Sequence, residues 1–255
     1  MSQPIISARG LTKVYPGAEA PALNGVDLDI EAGQSLAIMG ASGSGKTTLL
    51  HILAGIITPT AGTVTFHGPH QTYQVESLND NQRSKLRREE FGFVFQQGLL
   101  LDELTALENV AVAKMLVGRS RREAEVEAQV WLDKLGLAGT EHRRLGQMSG
   151  GQAQRVAIAR AQITGASVLF ADEPTGALDS RTGAEVMSAL LDVVNEGRTL
   201  VMVTHDRDLA ARCDRVITLH DGQIEFDLAS MFDGLTSANH PALRAAAVNS
   251  FGVAR

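Results

Sequence analysis

The stretch at residues 40–48, Gly-Ala-Ser-Gly-Ser-Gly-Lys-Thr-Thr, most constrains what this chain can fold into. An apolar run of strand length at 35–39 precedes it, and residues 48–54 repeat apolar side chains at helical spacing. Glycines let successive backbone N–H groups turn inward on an anion, and the N-terminus of the following helix adds partial positive charge. The order strand, glycine loop, helix therefore predicts a loop that holds the phosphates of a nucleotide.

Two side chains of this loop have distinct expected roles. Lys46 reaches the outer phosphates, and the Thr47 hydroxyl is a ligand for the Mg²⁺ that accompanies them. The whole loop is expected to bind the nucleotide: Gly40, Ala41, Ser42, Gly43, Ser44, Gly45, Lys46, Thr47 and Thr48. The alternative is an ordinary glycine-rich turn between a strand and a helix.

Length and charge limit the function classes. With 255 residues the chain can form one substantial α/β domain with an inserted subdomain. A net charge of −6 does not suggest a surface that binds nucleic acid or an anionic membrane. The basic clusters at 83–88 and 119–122 are interpreted as solvated helix faces, because glutamates follow each cluster. The single cysteine, Cys213, excludes an internal disulfide and indicates a reducing compartment. Neither a signal-peptide pattern nor an apolar run of roughly 18 residues is found, so we expect a partner to span any membrane involved.

Short strands and turns are expected at the N-terminus. Residues 5–8, 12–15 and 23–30 predict strands, and the period-two alternation at 26–30 favours a half-exposed antiparallel one. Tyr15 lies just before a Pro-Gly turn, where it could stack on a purine or simply pack against the protein.

The middle of the chain alternates a strand with helices. Residues 91–95 predict a buried strand that ends at Gln96, and residues 105–135 predict a helical insertion. Ser149 then precedes two glycines and another apolar helical run. Two interpretations of this point stay open: Ser149 caps the helix, or it forms a second anion site together with the glycine amides.

Two later strands end in polar residues that suggest chemistry. The apolar run at 167–171 is followed by Asp172, which can hold Mg²⁺, and Glu173, which can take a proton from an attacking water. The strand at 199–204 ends at His205, which alone would be interpreted as structural. Because parallel strands end at the same edge of a sheet, His205 becomes a candidate phosphate contact. The alternative for Asp172 and Glu173 is an Asp-Glu-Pro turn that begins a loop.

Taken together, the motifs resemble those of the nucleotide-binding subunits of ATP-binding-cassette (ABC) transporters, over about residues 5–226. The resemblance implies these roles: Tyr15 for adenine stacking, residues 40–47 as the phosphate loop, Gln96 as the Q-loop, Ser149, Gly150, Gly151 and Gln152 within the signature, Asp172 and Glu173 as Walker B, Asp179 in the D-loop, and His205 as the switch histidine. The sequence departs from the family pattern at Met148, where leucine is usual, and at Ala153, where glutamine is common.

The resemblance also implies a fold. It is an α/β P-loop NTPase core with a mixed sheet, an N-terminal antiparallel β subdomain and an inserted α-helical subdomain at about 98–165. The ABC ATPase domain would cover residues 1–227, followed by a tail at 228–255 that could be loosely helical. The stretches 87–96, 104–110 and 174–183 are most similar to the macrolide-exporter, lipoprotein-release and haem-export branch.

The implied function is an ATP-hydrolysing motor that binds ATP and Mg²⁺ at the cytoplasmic face of the plasma membrane. Lys46, Glu173 and His205 would be catalytic, and Thr47, Gln96 and Asp172 would be metal ligands. In a head-to-tail homodimer, the signature of one copy would close over ATP on the loop of the other. Closure would drive a transmembrane permease, of which two copies are expected. Nucleic acid is not expected as a partner. Two alternatives remain: a regulator that signals through a membrane partner to a cell-wall hydrolase or sensor, and a soluble cassette ATPase of DNA repair or translation, which usually has two cassettes or a long coiled-coil insertion.

Overall fold

The computed structural model describes residues 3–96 and 99–228, so nearly all of the expected tail lies outside the described residues. Its strands are β1 (Ile6–Lys13), β2 (Leu23–Ile30), β3 (Ser35–Gly40), β4 (Ala61–His67), β5 (Thr72–Gln74), β6 (Phe91–Phe95), β7 (Val168–Asp172), β8 (Thr199–Val203), β9 (Arg215–His220) and β10 (Gln223–Asp227). Its α-helices are α1 (Lys46–Leu53), α2 (Asp80–Glu90), α3 (Ala106–Leu116), α4 (Arg121–Lys134), α5 (Gly150–Gln162), α6 (Ser180–Asn195) and α7 (Arg207–Ala210).

The chain divides into two units. The first unit consists of Met1–His67, Gln71–Ser77 and Val201–Arg255, and the second consists of Gly68–His70 and Leu78–Leu200. The nucleotide-loop candidate belongs to the first unit, and the signature and Walker B candidates belong to the second. Among the residues that the structure describes, no helix combines the length and the hydropathy needed to cross a membrane.

An antiparallel sheet with the strand order β2-β1-β4-β5 lies in the first unit. In β2, Val26 and Leu28 are buried while Asp27 is exposed, which confirms the predicted half-exposed antiparallel strand. The prediction of separate strands at 5–8 and 12–15 is wrong, because β1 is a single strand. Its pairing register shifts after Ala8, and Gly10 adopts a φ of +59°, so the irregularity is absorbed as a bulge and the strand continues.

The same unit contains the strands that deliver the glycine loop. They are hydrogen-bonded in the order β10-β9-β3-β8, and β8 belongs to this unit from Val201 onward. Because β9 is parallel to β3 and antiparallel to β10, this sheet is mixed as expected. Four apolar residues of β3 are buried, which explains its continuous apolar sequence. Helix α1 follows the loop and buries Leu49, Leu50, Ile52 and Leu53.

In the second unit, β6 and β7 run parallel and pair Phe95 with Asp172. Helices α3, α4 and α5 pack around one apolar cluster: Ala106, Val110, Ala111, Ala124, Ala128, Leu132, Leu137, Val156, Ala159 and Ile163. Met148 packs against this cluster, so the methionine keeps the apolar contact that the usual leucine would make. The mixed sheet, the antiparallel sheet and the helical cluster together confirm the expected α/β fold class.

Candidate nucleotide-binding site

The loop between β3 and α1 is closed around one carbonyl group. Lys46 is only 8% exposed, and its Nζ donates to the Ala41 carbonyl at 2.7 Å. The Ser44 N–H donates to the same carbonyl at 3.2 Å, and the Gly222 N–H donates to the Ser44 carbonyl at 3.2 Å. The chain therefore holds the lysine ammonium against the loop that the sequence predicted to bind phosphates.

Two glycines of the loop have no room for a side chain. At Gly40, where φ is +143°, a Cβ would overlap the Leu219 carbonyl oxygen and Ser44 Oγ. At Gly45, where φ is +101°, it would overlap the Ala22 carbonyl oxygen. The loop shape thus depends on glycine for both backbone conformation and space.

The first turn of α1 lacks a side-chain cap. Its N-cap, Gly45, supplies no capping hydrogen bond. Within the described part of the chain, every other α-helix is capped by a side chain: Asn79, Thr105, Ser120, Ser149, Asp179 and Asp206. The N-cap residue of α1 therefore supplies no side-chain acceptor of its own, which suits a helix N-terminus that receives an anion.

Two further predicted residues lie near the loop in the first unit. Tyr15 is 41% exposed, and its hydroxyl lies 3.4 Å from Thr48 Oγ1, while Lys13 Nζ lies 5.3 Å from the ring centre. His205 lines one cavity together with Gly40. The structure thus brings an aromatic ring and an imidazole close to different parts of the same loop.

In the second unit, Gln96 and Glu173 converge over Gly176. The pairing of β6 with β7 ends with Phe95 beside Asp172, so Gln96 and Glu173 follow at the ends of neighbouring strands. A Cβ built on Gly176 would lie 3.0 Å from Gln96 Nε2 and 3.4 Å from Glu173 Oε2. The absence of a side chain at position 176 therefore leaves room beside Gly176 for both the amide and the carboxylate.

The backbone at Glu173 is itself unusual. Its φ is +46°, a left-handed conformation that costs a non-glycine residue of order 1–3 kcal/mol. A turn maintains it, since the Gly176 N–H donates to the Glu173 carbonyl at 3.1 Å. Strain of this kind persists where surrounding structure enforces it and clusters at functional positions, which supports a functional interpretation of Glu173.

The Mg²⁺ candidates Thr47 and Asp172 offer a hydroxyl and a carboxylate, which are the oxygen donors that Mg²⁺ prefers. The described residues contain no group of three or more His, Cys, Asp and Glu side chains that could hold a metal ion alone. Mg²⁺ in nucleotide enzymes typically takes one or two protein ligands, with substrate phosphates and water completing its shell. Taken one at a time, these side chains are therefore of the types that bind Mg²⁺ alongside a nucleotide.

The signature residues begin α5 with a capping box. Ser149 Oγ accepts from the Gln152 N–H at 3.2 Å, and Gln152 Oε1 accepts from the Ser149 N–H at 3.0 Å. The Ser149 oxygen acts here as an acceptor. The hydroxyl hydrogen can still be donated to another group, such as a phosphate. Helix capping and anion binding, the two interpretations left open by the sequence, are thus chemically compatible at this serine.

Asp179 is the N-cap of α6. Its carboxylate accepts from the N–H groups of Arg181 and Thr182 at 3.1 and 3.0 Å and from the Thr182 hydroxyl at 2.7 Å. These bonds, chiefly the one from the Thr182 N–H, hold the pKa of Asp179 below its usual value. A Cβ on Gly151 would overlap the Thr182 methyl group, so the starts of α5 and α6 are in contact. The nucleotide contact expected for Asp179 remains a prediction.

Two polar residues that the sequence did not single out connect α5 to the segment around Gln96. Gln154 Nε2 donates to the Phe95 carbonyl at 3.0 Å, and Arg160 Nη1 donates to the Leu99 carbonyl at 2.8 Å. Burial lowers the pKa of Arg160. No signal in the sequence separates them, because the same helix also contains Gln152, Arg155 and Gln162.

Comparison with known proteins identifies the family. A protein-family model described as ABC transporter matches residues 23–176. The chain belongs to the ABC transporter family. It is an ATP-binding domain of that family, and thus an ATPase, as the motifs implied.

Relatives and solved structures agree with this assignment. The chain is 45% identical over 96% of its length to the pyoverdine export ATP-binding/permease protein PvdT of Pseudomonas syringae pv. tomato, and 46% identical over 90% to the macrolide export ATP-binding/permease protein MacB of Rhodopseudomonas palustris. It spans only 37% and 35% of those proteins. The dimeric ABC transporter cassette MJ0796 has a TM-score of 0.79 and 40% identity, covering 87% of this chain and 97% of that one. A post-hydrolysis dimer of the same cassette, bound to ADP and Pi, has a TM-score of 0.79 and 38% identity, and it covers the same shares of the two chains.

Proposed function

We propose that this ATPase is the motor of an export system, in which ATP-driven closure of two cassettes moves a membrane permease. The observation that carries the proposal is the convergence of Gln96 and Glu173 over Gly176, next to Asp172. A carboxylate at the end of a central strand, beside an amide that can bind a phosphate or a water, suits hydrolysis of a phosphoanhydride. Relatives named as export ATP-binding/permease proteins support the coupling to export.

Each site residue has a role in this proposal. Glu173 accepts a proton from the water that attacks the γ-phosphate in line, and Lys46 offsets the charge that develops on the phosphoryl oxygens. The loop amides bind the β- and γ-phosphates, while Tyr15 stacks on adenine. His205 and Gln96 contact the γ-phosphate or its water.

Mg²⁺ and a second copy would complete the reaction centre. Thr47 and Asp172 would hold Mg²⁺, with Gln96 as a further oxygen ligand, and the ion would neutralise negative charge shared by the phosphates. Ser149 and the glycine amides at 150 and 151 would contact the γ-phosphate bound by the other copy, so hydrolysis would depend on head-to-tail dimer closure. The dimeric state of the related cassettes supports this arrangement.

The test is Glu173→Gln, which keeps the shape of the side chain and removes the base. We expect turnover to fall by about 100-fold or more. ATP binding should persist, and an ATP-dependent dimer should accumulate in size-exclusion chromatography. The matched control is Glu185→Gln on α6, a surface carboxylate whose Oε1 lies 3.5 Å from Arg181, and it should hydrolyse ATP at the parent rate. Substantial hydrolysis by Glu173→Gln would remove Glu173 from its role.

Coupling to a permease requires a separate measurement. The protein would be purified from gently solubilised membranes and examined for a membrane-spanning permease whose presence raises the ATPase rate. Copurification of a cell-wall hydrolase or sensor complex without substrate movement would instead favour the regulatory alternative.

A further inference from the structure

Helix α5 is attached to the segment around Gln96 at two points. This segment is defined as Gln96 together with residues 99–105. Gln154 Nε2 donates to the carbonyl of Phe95, the residue just before it, and Arg160 Nη1 donates to the carbonyl of Leu99. Both donors belong to the helix that begins at the signature residues, so one rigid element holds the chain on each side of the Q-loop glutamine.

The two attachments differ in their exposure to solvent. Gln154 is 4% exposed, so a change that removes its amide leaves a buried carbonyl without this donor. Arg160 is partly exposed, and burial of the rest of its side chain lowers the pKa of its guanidinium. A charged donor on a backbone carbonyl makes a stronger hydrogen bond than a neutral one.

The backbone at Leu99 shows that this attachment enforces a particular conformation. Leu99 has a φ of +45°, one of only three positive values among the described non-glycine residues, and the other two are at Glu173 and Asp221. A leucine persists in this region only where its surroundings over-determine it, and the bond from Arg160 is such a constraint. The same backbone turn leaves the Leu99 side chain 59% exposed.

A third side chain keeps the rest of the segment in shape. Asn109 on α3 is fully buried; its Oδ1 accepts from the Leu101 N–H at 2.8 Å, and its Nδ2 donates to the Leu101 carbonyl at 3.0 Å. The Leu101 side chain is 48% exposed. Residues 99–101 are therefore held by α5 and α3 together, with two large apolar side chains directed outward.

We infer that Gln154 and Arg160 are positioning residues that couple the signature helix to the Gln96 segment. Any displacement of α5 when its N-terminus engages ATP on a second copy is passed through these two bonds to both ends of the Q-loop. It thereby reaches Gln96 at the reaction centre and the exposed leucines on the surface. This inference rests on the proposed function, because it requires ATP-driven closure of two copies.

The test places a spin label on the segment. Leu101→Cys is labelled in a Cys213→Ala, Glu173→Gln background, and its electron paramagnetic resonance spectrum is recorded with and without ATP and Mg²⁺. Into this parent we introduce Gln154→Met and Arg160→Met, singly and together. The control is Arg155→Met, which also removes a guanidinium from α5. The Arg155 guanidinium donates to the Leu135 carbonyl at 3.4 Å, outside the Gln96 segment.

We expect ATP to change the spectrum of the parent and of the control. Loss of a charge-assisted bond shifts the balance between attached and detached segment by about tenfold or more, so the double variant should lose most of the ATP-induced change. ATP-dependent dimerisation, measured on the same samples, should stay within about twofold of the parent, because the signature residues are unaltered. Arg160→Lys, which keeps the charge and a donor, should recover part of the spectral change. If variants with Arg160→Met fail to fold, Gln154→Met alone carries the test and should lose part of the ATP-induced change.

Two outcomes would overturn the inference: a double variant that responds to ATP like the parent, or a parent that dimerises while its label does not respond. A parent that neither binds ATP nor dimerises would instead refute the proposed function, so the two failures can be told apart.

Discussion

Gly176→Ala tests the geometry of the proposed reaction centre with the smallest change the chain allows. The added Cβ would lie 3.0 Å from Gln96 Nε2 and 3.4 Å from Glu173 Oε2. Ordinary contacts of this kind lie at about 3.5–4.0 Å, so the Gln96 amide must withdraw by about 0.5 Å. Misplacement of a reacting group by about 1 Å can cost about 100-fold in rate, and half that distance predicts a fall in kcat of about tenfold, or about 1.4 kcal/mol in the barrier.

The assay is steady-state ATP hydrolysis together with thermal unfolding. We expect KM for ATP to stay within about twofold, because the loop amides, Lys46 and Tyr15, which make the other proposed nucleotide contacts, are unaltered. The Tm should not fall, because Gly176 does not have a positive φ and alanine restricts the unfolded chain. Gly146→Ala is the matched control, since its Cβ would meet nothing within 4 Å and its φ is not positive. An unchanged kcat, or an equal fall in the control, would refute the role assigned to this convergence.

Three further predictions concern the loop, the adenine contact and the D-loop. Gly45→Ala combines a left-handed backbone with overlap on a carbonyl, so it should lower the Tm by about 6–12 °C. Its control is Gly43→Ala, which has a φ of +82° and nothing within 4 Å of its Cβ and should lower the Tm by less than half as much. Equal effects of the two substitutions on the Tm would contradict the steric argument. Tyr15→Ala should raise KM for ATP about fivefold or more with little change in kcat, while Tyr15→Phe should retain the parent KM; an unchanged KM in Tyr15→Ala would exclude stacking. The pKa of Asp179 is lowered in the folded state, so its stabilisation is complete above the ordinary carboxyl pKa and is lost as pH falls through the lowered one. The Tm difference between the parent and Asp179→Asn should therefore shrink on acidification, and a difference that does not depend on pH would contradict the ionic role of this cap.

Local pattern made much of the fold predictable. The order strand, glycine loop, helix around Lys46 appeared as β3, loop and α1, and the alternation at 26–30 appeared as a half-buried antiparallel strand. The prediction of separate strands at 5–8 and 12–15 was wrong, because a bulge at Gly10 allows strand pairing to continue. Such bulges depend on the partner strand.

The sequence by itself determined the order strand, glycine loop, helix around Lys46, the capped start of α5 and the family, because these depend on residues within a few positions of one another. The capping box of Ser149 with Gln152, for example, joins residues three apart. Only the tertiary structure decided that Gln154 and Arg160 hold the carbonyls of Phe95 and Leu99, which lie 59 and 61 residues earlier in the chain. No periodicity encodes contacts across such separations, because they arise when β6 and α5 pack against each other and their buried polar groups must find partners.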